Sequence, residues 1–300
     1  MKLEKIAYRG WPNCYRLTNY NVDLVVTTDV GPRVIRYGFV DGPNMFYECE
    51  AQLGNTGEPW WMIRGGHRLW VAPEIVPETY ALDNSPVEAT FPAEDTICVS
   101  GPIEAETKLR KEMTITLFAD GRVRITHKVT NCGPHTVRWA PWPATLLAPG
   151  GTAFAAFPTG PTQERNFHPT HPLVMWASTD FSDPRWIFTR KHLILKQDPE
   201  ATTEQKAGLF NTDTFAAYLL DTTVFAKQSE AYLGVPYADF HCSCQMFTNR
   251  DFMELETLGP FTDIEPETSI SHVERWSLLR NVQIAAWTDD ELDRVRALIS

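Results

Sequence analysis

The sequence feature that most constrains the fold is a pair of alternating segments near residue 120. In Leu109–Leu117 and again in Arg122–Thr130, every second residue is polar, and most of the residues between them are apolar. Such alternation indicates β-strands with one buried and one solvent-facing side, as in an antiparallel sheet. The dipeptide Asp120-Gly121 between the segments favours the positive φ angles of a tight turn. The sequence therefore predicts a β-hairpin here.

Strand-like segments recur along the rest of the chain. Eight of them are bounded by turn-forming residues, and they are Val22–Thr28, Arg33–Val40, Asp95–Val99, Leu173–Ala177, Leu193–Lys196, Thr214–Leu220, Phe252–Leu258 and Ser269–Leu279. Helical signals are few: Thr288 and Glu291 have the spacing of a capping box at the C-terminus. A shorter helix is expected around Thr203–Gly208.

These elements together predict an all-β protein. Many strands, little helix and no repeat of fixed period favour a large antiparallel β-sandwich with a short C-terminal helix. No linker or shift in composition divides the chain, so residues 1–300 are predicted to form a single β-sandwich domain.

Charge and cysteine content restrict the partners and the compartment. The net charge is −11 and no basic run is present, so neither nucleic acid nor an anionic membrane surface is an expected partner. The sequence has no run of about 18 apolar residues for a membrane span and no secretory signal at Met1–Arg9. Six irregularly spaced cysteines suggest reduced thiols and a cytoplasmic protein, whose oligomeric state the sequence leaves open.

Two carboxylates form the sharpest polar anomaly. On a strand, Glu254 and Glu256 project from the same face, together with Phe252 and Leu258. Mutual repulsion and burial raise carboxyl pKa values, so one of the two could be held near neutrality for proton transfer. The alternative is a surface strand with two exposed acids, although such a strand seldom needs large apolar neighbours.

A second candidate segment contains His67 and Arg68. The preceding Gly65-Gly66 pair allows a bend or bulge that could aim both side chains into a cleft. In a regular strand they would face opposite sides. Histidine shuttles protons near neutral pH, and arginine offers fixed donors to hydroxyl pairs, carboxylates or phosphates. The alternative is a loop with an incidental histidine.

Aromatic residues are abundant, with ten Trp in the chain. Six of them lie near Gly or Pro turns that could bring them to a cleft: Trp60, Trp61, Trp70, Trp139, Trp142 and Trp176. Aromatic faces suit the C–H faces of sugar rings, although large aromatics are equally typical of cores.

Motifs for metals and cofactors are weak or missing. The tract from His241 to Cys244 lacks a second ligand pair, so no metal site is predicted there. The sequence contains no phosphate-binding glycine loop or nucleophile elbow, and no cofactor is expected.

Several short motifs, taken in order, resemble those of the galactose mutarotase-like (aldose 1-epimerase) superfamily. They are Thr28–Tyr37, Asn44–Phe46, Leu255–Thr257, Glu265–Ser269 and the strand through His272, Glu274 and Trp276. Two further segments, Gly65–Trp70 and Glu254–Pro260, look like an uncharacterised, domain-of-unknown-function branch of that superfamily. The resemblance extends over nearly the whole chain.

The resemblance implies a supersandwich with a sugar cleft on one sheet. In mutarotases a glutamate removes the anomeric proton while a histidine protonates the ring oxygen, and the sugar ring opens and recloses. The match places the base at Glu256 and a sugar-binding histidine at His67. Arg68 resembles an arginine of phosphosugar epimerases. Lys206 and Lys227 are candidates by their context in the branch, with surface lysines as the alternative.

One departure from the pattern matters. Where mutarotases carry the catalytic histidine, this chain has Trp142. His67, or else His241, would then have to supply the proton. The spacing of Arg68 and Glu74 suits either an ion pair in the cleft or two surface charges. Further sugar contacts are expected from the side chains of Trp70, Glu74, Trp142, His241 and Glu254.

Three functions stay open on this sequence. The first is an isomerase that interconverts sugar anomers or epimers, with Glu256 as base and His67 as acid. The second is a non-catalytic carbohydrate-binding protein that has lost the catalytic histidine. The third is a glycoside-cleaving enzyme that uses Glu254 and Glu256 as an acid and base pair.

Overall fold

The computed structural model describes residues 1–158 and 169–299 of the protein. The strands are β1 Lys2–Tyr8, β2 Trp11–Thr18, β3 Val22–Thr27, β4 Arg33–Phe39, β5 His67–Ala72, β6 Glu88–Ala93, β7 Thr96–Ser100, β8 Leu109–Leu117, β9 Val123–Asn131, β10 Val137–Leu147, β11 Thr152–Ala156, β12 Leu173–Met175, β13 Trp186–Phe188, β14 His192–Lys196, β15 Gln205–Leu209, β16 Asp213–Leu220, β17 Thr223–Glu230, β18 Cys244–Thr248, β19 Met253–Thr257, β20 Thr262–Ile264 and β21 Ser269–Leu279. The helices are α1 Ala238–His241 and α2 Asp289–Ala297, with 3-10 turns at Glu50–Gln52 and Glu78–Tyr80.

The strands form two large sheets. The first has the order β1-β2-β3-β4-β5-β10-β19-β18-β15-β12, with β20 also paired to β10. The second has the order β13-β14-β11-β16-β17-β21-β9-β8-β7-β6. Neighbouring strands are antiparallel, as where β10 lies between β5 and β19. The prediction of an antiparallel β-sandwich with a C-terminal helix is confirmed.

The predicted hairpin is β8 and β9. Their register runs from Leu109 opposite Asn131 to Leu117 opposite Val123. Gly121 supplies the positive φ of 89° at the turn. Alternate residues of β8 are buried, as the sequence pattern predicts. The local sequence thus specifies two adjacent strands of the second sheet.

The main core lies between the two sheets. Tyr37 and Phe46, on the side of the first sheet, pack against Phe225 and Trp276 of the second sheet, with ring centroids 5.5–6.0 Å apart. A satellite core forms where α2 places Leu292 against the second sheet. Burial of these side chains is the main source of stability.

One predicted element is wrong. The helix expected around Thr203–Gly208 is instead strand β15, which pairs with β12 on one side and β18 on the other. Hydrogen bonding on both edges within the sheet outweighs the weak local preference for a helical turn. Neither helix in the described part of the chain has the length and apolar character of a membrane span.

Candidate functional site

A cleft of about 370 Å³ lies over the centre of the first sheet, on the face turned away from the second sheet. Strands β5, β10, β15, β18 and β19 supply its floor. Its lining is aromatic and charged and includes Trp61, Arg68, Trp70, Glu74, Tyr80, Trp142, Trp176, Lys206, Phe247, Phe252 and Glu254. Large aromatic walls with a few charged groups are typical of ligand sites.

Glu256 is not itself part of the cleft lining, but two lining residues, Trp142 and Lys206, contact its carboxylate. It sits on β19 opposite Ala144 of β10, and only 1% of it is exposed. The indole Nε1 of Trp142 donates to Glu256 Oε2 across 2.6 Å, and Lys206 Nζ lies 3.3 Å from the same oxygen. Burial raises the pKa of Glu256, and although Lys206 and Trp142 oppose that rise, the net shift is upward. The two partners favour the ionised carboxylate.

Glu254 projects from the same face two residues earlier, and its surroundings differ. Its carboxyl is buried, and Oε1 has no hydrogen-bond partner among the described residues. Burial and the neighbouring Glu256 charge raise the pKa of Glu254 to about 7. Near neutral pH Glu254 is therefore divided between its protonated and ionised forms. The predicted pair of buried, same-face carboxylates is present.

Lys206 connects the carboxylates with the aromatic wall. Its Nζ lies 4.9 Å from the Trp142 ring centroid and 5.0 Å from that of Trp176. Burial lowers the pKa of Lys206, but the charges of Glu256, Glu254 and Glu74 outweigh burial, so the net shift is upward. Lys206 thus remains an ammonium group at neutral pH.

Arg68 is the second cation of the cleft. Its guanidinium carbon lies 4.1 Å from the Trp70 ring centroid and 4.7 Å from that of Trp61. Burial, followed by the charge of Arg33, lowers the pKa of Arg68 to about 10, which leaves it charged at neutral pH. Its buried Nε and Nη1 have no hydrogen-bond partner within the described chain. Unpaired buried donors of this kind favour a ligand that accepts hydrogen bonds.

Glu74 and Tyr80 form one end of the cleft. The Tyr80 hydroxyl donates a hydrogen bond to Glu74. Within the described residues, the ion pair expected between Arg68 and Glu74 does not form, because Arg68 stacks between the two tryptophans. Tyr80 belongs to no motif and was not predicted from the sequence, whereas Trp61 and Trp176 were predicted from their nearby turns.

His67 does not lie in the cleft. Strand β5 is regular here, so His67 and Arg68 face opposite sides of the sheet. His67 Nδ1 lies 2.8 Å from Thr145 Oγ1, and His67 Nε2 lies 2.7 Å from His127 Nε2. The prediction that His67 and Glu256 act together in one cleft is therefore wrong, because the two side chains lie on opposite faces of the sheet.

Lys227 is also placed between the sheets rather than in the cleft. Its Nζ lies 2.7 Å from Glu274 Oε1, 3.0 Å from Thr145 Oγ1 and 3.1 Å from the Leu255 carbonyl oxygen. It is fully buried, so neither the predicted sugar contact nor a surface position applies. We call these residues, with His67, His127 and His272, the inter-sheet network.

The inter-sheet network brings a potential ligand set together. One ligand atom each from His67, His127 and Glu274 lies within 4.8 Å of the others. The two histidines already bond each other, and Glu274 bonds Lys227 and the indole of Trp276. Because these bonds satisfy the groups and Lys227 adds a positive charge, the arrangement does not favour a metal ion.

His241 lies outside the cleft lining. It belongs to α1, where its ring is 4.5 Å from the centroid of Phe210 and 5.3 Å from that of Tyr237. Its predicted role as a proton source therefore has no geometric support. Among the described residues, no histidine lines the cleft.

Comparison with known proteins identifies the fold. No family profile matches the sequence, and neither does any curated protein. Solved structures do match. A galactose mutarotase-like protein from Lactobacillus casei has a TM-score of 0.59 at 8% identity, covering 89% of this chain and 100% of its own. One from Clostridium acetobutylicum has a TM-score of 0.53 at 12% identity, covering 93% and 98%.

A third structure agrees with these two. A galactose mutarotase related enzyme from Lactobacillus acidophilus has a TM-score of 0.52 at 9% identity, with 90% of this chain and 98% of its own covered. At such identities the likeness establishes the fold and leaves the chemistry to the site. The chain is thus a β-sandwich of the galactose mutarotase-like fold, as its sequence motifs suggest.

Proposed function

We propose that the protein binds a carbohydrate in the cleft and interconverts its anomers, as an isomerase of the aldose 1-epimerase type. One observation carries the proposal: Glu254 and Glu256 project from the same face of β19 but differ in their contacts. An indole and an ammonium group contact Glu256 and favour its ionised form, whereas Glu254 Oε1 has no hydrogen-bond partner among the described residues and the pKa of Glu254 is raised to about 7. Paired titratable groups separated in this way are typical of acid and base assignments.

The chemistry follows from these protonation states. The Glu256 carboxylate takes the proton of the anomeric hydroxyl, and a C=O bond forms at C1. The bond between C1 and the ring oxygen breaks, and protonated Glu254 gives its proton to that oxygen. Rotation about C1–C2 followed by the reverse steps closes the ring on the other face. Glu254 thereby takes the role of acid that the sequence predicted for His67.

The remaining cleft residues support binding. Trp70, Trp142 and Trp176 offer aromatic faces for a sugar ring. The unpaired donors of Arg68 suit sugar hydroxyl groups. Lys206 stabilises the negative charge of Glu256 before Glu256 takes the anomeric proton and after it returns that proton.

A second candidate is a non-catalytic carbohydrate-binding protein. One observation favours it: Trp142, at the position where the resemblance expects the catalytic histidine, donates to the proposed base across 2.6 Å. Because the indole and the ammonium group of Lys206 both stabilise the ionised carboxylate, Glu256 is a weaker base toward a substrate proton. In that case the cleft would bind a sugar without turnover.

The test is NMR exchange between anomers on a panel of aldoses and sugar phosphates. We expect the protein to accelerate exchange, and Glu256→Gln and Glu254→Gln each to reduce the rate by about 10²–10⁴-fold while binding persists. The matched control is Glu94→Gln, an exposed glutamate in the turn between β6 and β7 of the second sheet, which should leave the rate unchanged.

Other results identify the alternatives. Sugar line broadening without accelerated exchange would establish the binding protein. Release of a monosaccharide from a glycoside, lost in both cleft variants, would instead establish glycoside cleavage by the same two carboxylates.

A further inference from the structure

Two aromatic clusters flank the paired carboxylates. The tryptophan cluster comprises Trp61, Trp70, Tyr80 and Trp142, with successive ring centroids 5.1–5.7 Å apart. The phenylalanine cluster comprises Tyr47, Phe247 and Phe252, with centroids 5.3 and 5.9 Å apart. Two separate aromatic surfaces offer two places for a ring to stack.

The strand register places the carboxylates between these clusters. Phe252 precedes Glu254 by two residues, immediately before β19 begins, and both residues line the cleft. Ala144 pairs with Glu256, and Trp142 lies two residues further along the antiparallel strand, beyond Glu256. Six residue steps separate the two ends, which is about 20 Å at about 3.3 Å per residue. That length exceeds a single pyranose ring.

The cleft continues beyond the phenylalanine cluster. A neighbouring groove of about 580 Å³ shares Glu204 and Asn249 with the cleft lining. Thr202, Arg250 and Asp251 also line this groove, which makes it polar. Hydroxyl, amide and charged side chains of this kind suit the hydroxyl groups of a further sugar ring.

We infer that the ligand is an oligosaccharide of at least two sugar residues. This inference rests on the proposed function, because it uses the same carboxylates. The reducing-end ring lies beside Glu256 against the tryptophan cluster. The next ring lies over the phenylalanine cluster, and the chain leaves through the polar groove past Asn249.

The inference is tested by comparing monosaccharides with disaccharides. Glucose and galactose are titrated against maltose, cellobiose and lactose, with affinity from calorimetry and exchange rates from NMR. We expect at least one disaccharide to bind about tenfold more tightly than its constituent monosaccharide, the value of about one additional stacked ring. The same preference should appear in kcat/KM for anomer exchange.

Two variants localise the second ring. Phe247→Ala should lower disaccharide affinity by more than it lowers monosaccharide affinity, so that most of the disaccharide advantage is lost. Arg250→Ala alters an exposed turn residue and should reduce the advantage without affecting folding. The control is Phe118→Ala, a partly exposed aromatic between β8 and β9.

The outcomes distinguish this inference from the proposed function. Monosaccharides that bind and exchange as well as every disaccharide would overturn the oligosaccharide inference alone. Sugars that neither bind nor exchange would overturn the proposed function and the inference with it. A disaccharide advantage that survives both variants would show that the second ring lies elsewhere and would also overturn the inference.

Discussion

Lys227 Nζ lies 2.7 Å from Glu274 Oε1 between the two sheets, and both side chains are fully buried. The same ammonium group bonds Thr145 of β10 and the carbonyl of Leu255, the residue between Glu254 and Glu256. A charge of the second sheet therefore fixes two strands that carry cleft residues on their opposite face. Sheet packing and the candidate site depend on the same bonds.

The first prediction concerns this ion pair. Lys227→Met leaves the Glu274 carboxylate buried without its main partner, so we expect the free energy of unfolding to fall by about 3–5 kcal/mol. Urea unfolding at neutral pH measures the loss. The double variant Lys227→Met with Glu274→Gln should recover most of it, because no unpaired charge remains. Equal stability of the single variant and the native protein would contradict the prediction.

The second prediction concerns the rate of anomer exchange above neutral pH. Glu254 donates a proton only in its protonated form, and its pKa is raised to about 7. As pH rises above about 7, kcat/KM should fall by about tenfold per pH unit. Glu254→Gln should lose most of the rate, and its residual rate should show no such decline. A kcat/KM that stays constant from pH 7 to 9 would rule out Glu254 as the acid.

The third prediction concerns the indole that contacts the base. Trp142→Phe keeps an aromatic face but removes the hydrogen bond to Glu256. Since a bond to a charged group contributes about 1.5–3 kcal/mol, the pKa of Glu256 should rise by about one unit or more. The acidic limb of the rate profile should move to higher pH by that amount. Trp70→Phe is the matched control, and an equal shift there would contradict the assignment.

Many of the strands could be predicted because the alternation of apolar and polar residues lies within each segment. The predicted bounds of Leu109–Leu117 and Ser269–Leu279 match β8 and β21. The order of strands in each sheet could not be predicted, since pairing of β10 with β5 and β19 joins residues far apart in sequence. The helix expected at Thr203–Gly208 failed for the same reason.

Part of the candidate site could also be predicted from local sequence, and part could not. A period of two was enough to place Glu254 and Glu256 on one face. The predicted position of His67 in the cleft was wrong because the Gly65-Gly66 pair does not form the expected bulge. Both glycines have positive φ, and an added Cβ would lie 2.0 Å from the Tyr47 carbonyl oxygen at Gly65. The pair allows close backbone approach before β5 begins, and no bulge turns His67 toward the cleft.

The last prediction concerns acid stability and the inter-sheet network. Burial lowers the pKa of His127 to about 4 and that of His272 to about 3, against the opposing charge of Glu274 and with a further lowering by Lys227. In the unfolded chain histidines take up protons near pH 6.5, whereas these two stay neutral in the folded protein. Stability is therefore full above about pH 6.5 and is lost as pH falls.

The expected loss is about 2 kcal/mol for each of the two histidines between pH 7.5 and 5. Glu254 acts in the opposite direction, because a folded pKa of about 7 adds stability as pH falls. Urea unfolding is therefore best compared at the two pH values in Glu254→Gln, where this contribution is absent. NMR of the ring protons supplies the independent check: His127 and His272 should remain neutral down to pH 5. Titration of either ring near pH 6.5 would show that the network tolerates a charged histidine and would refute the predicted acid sensitivity.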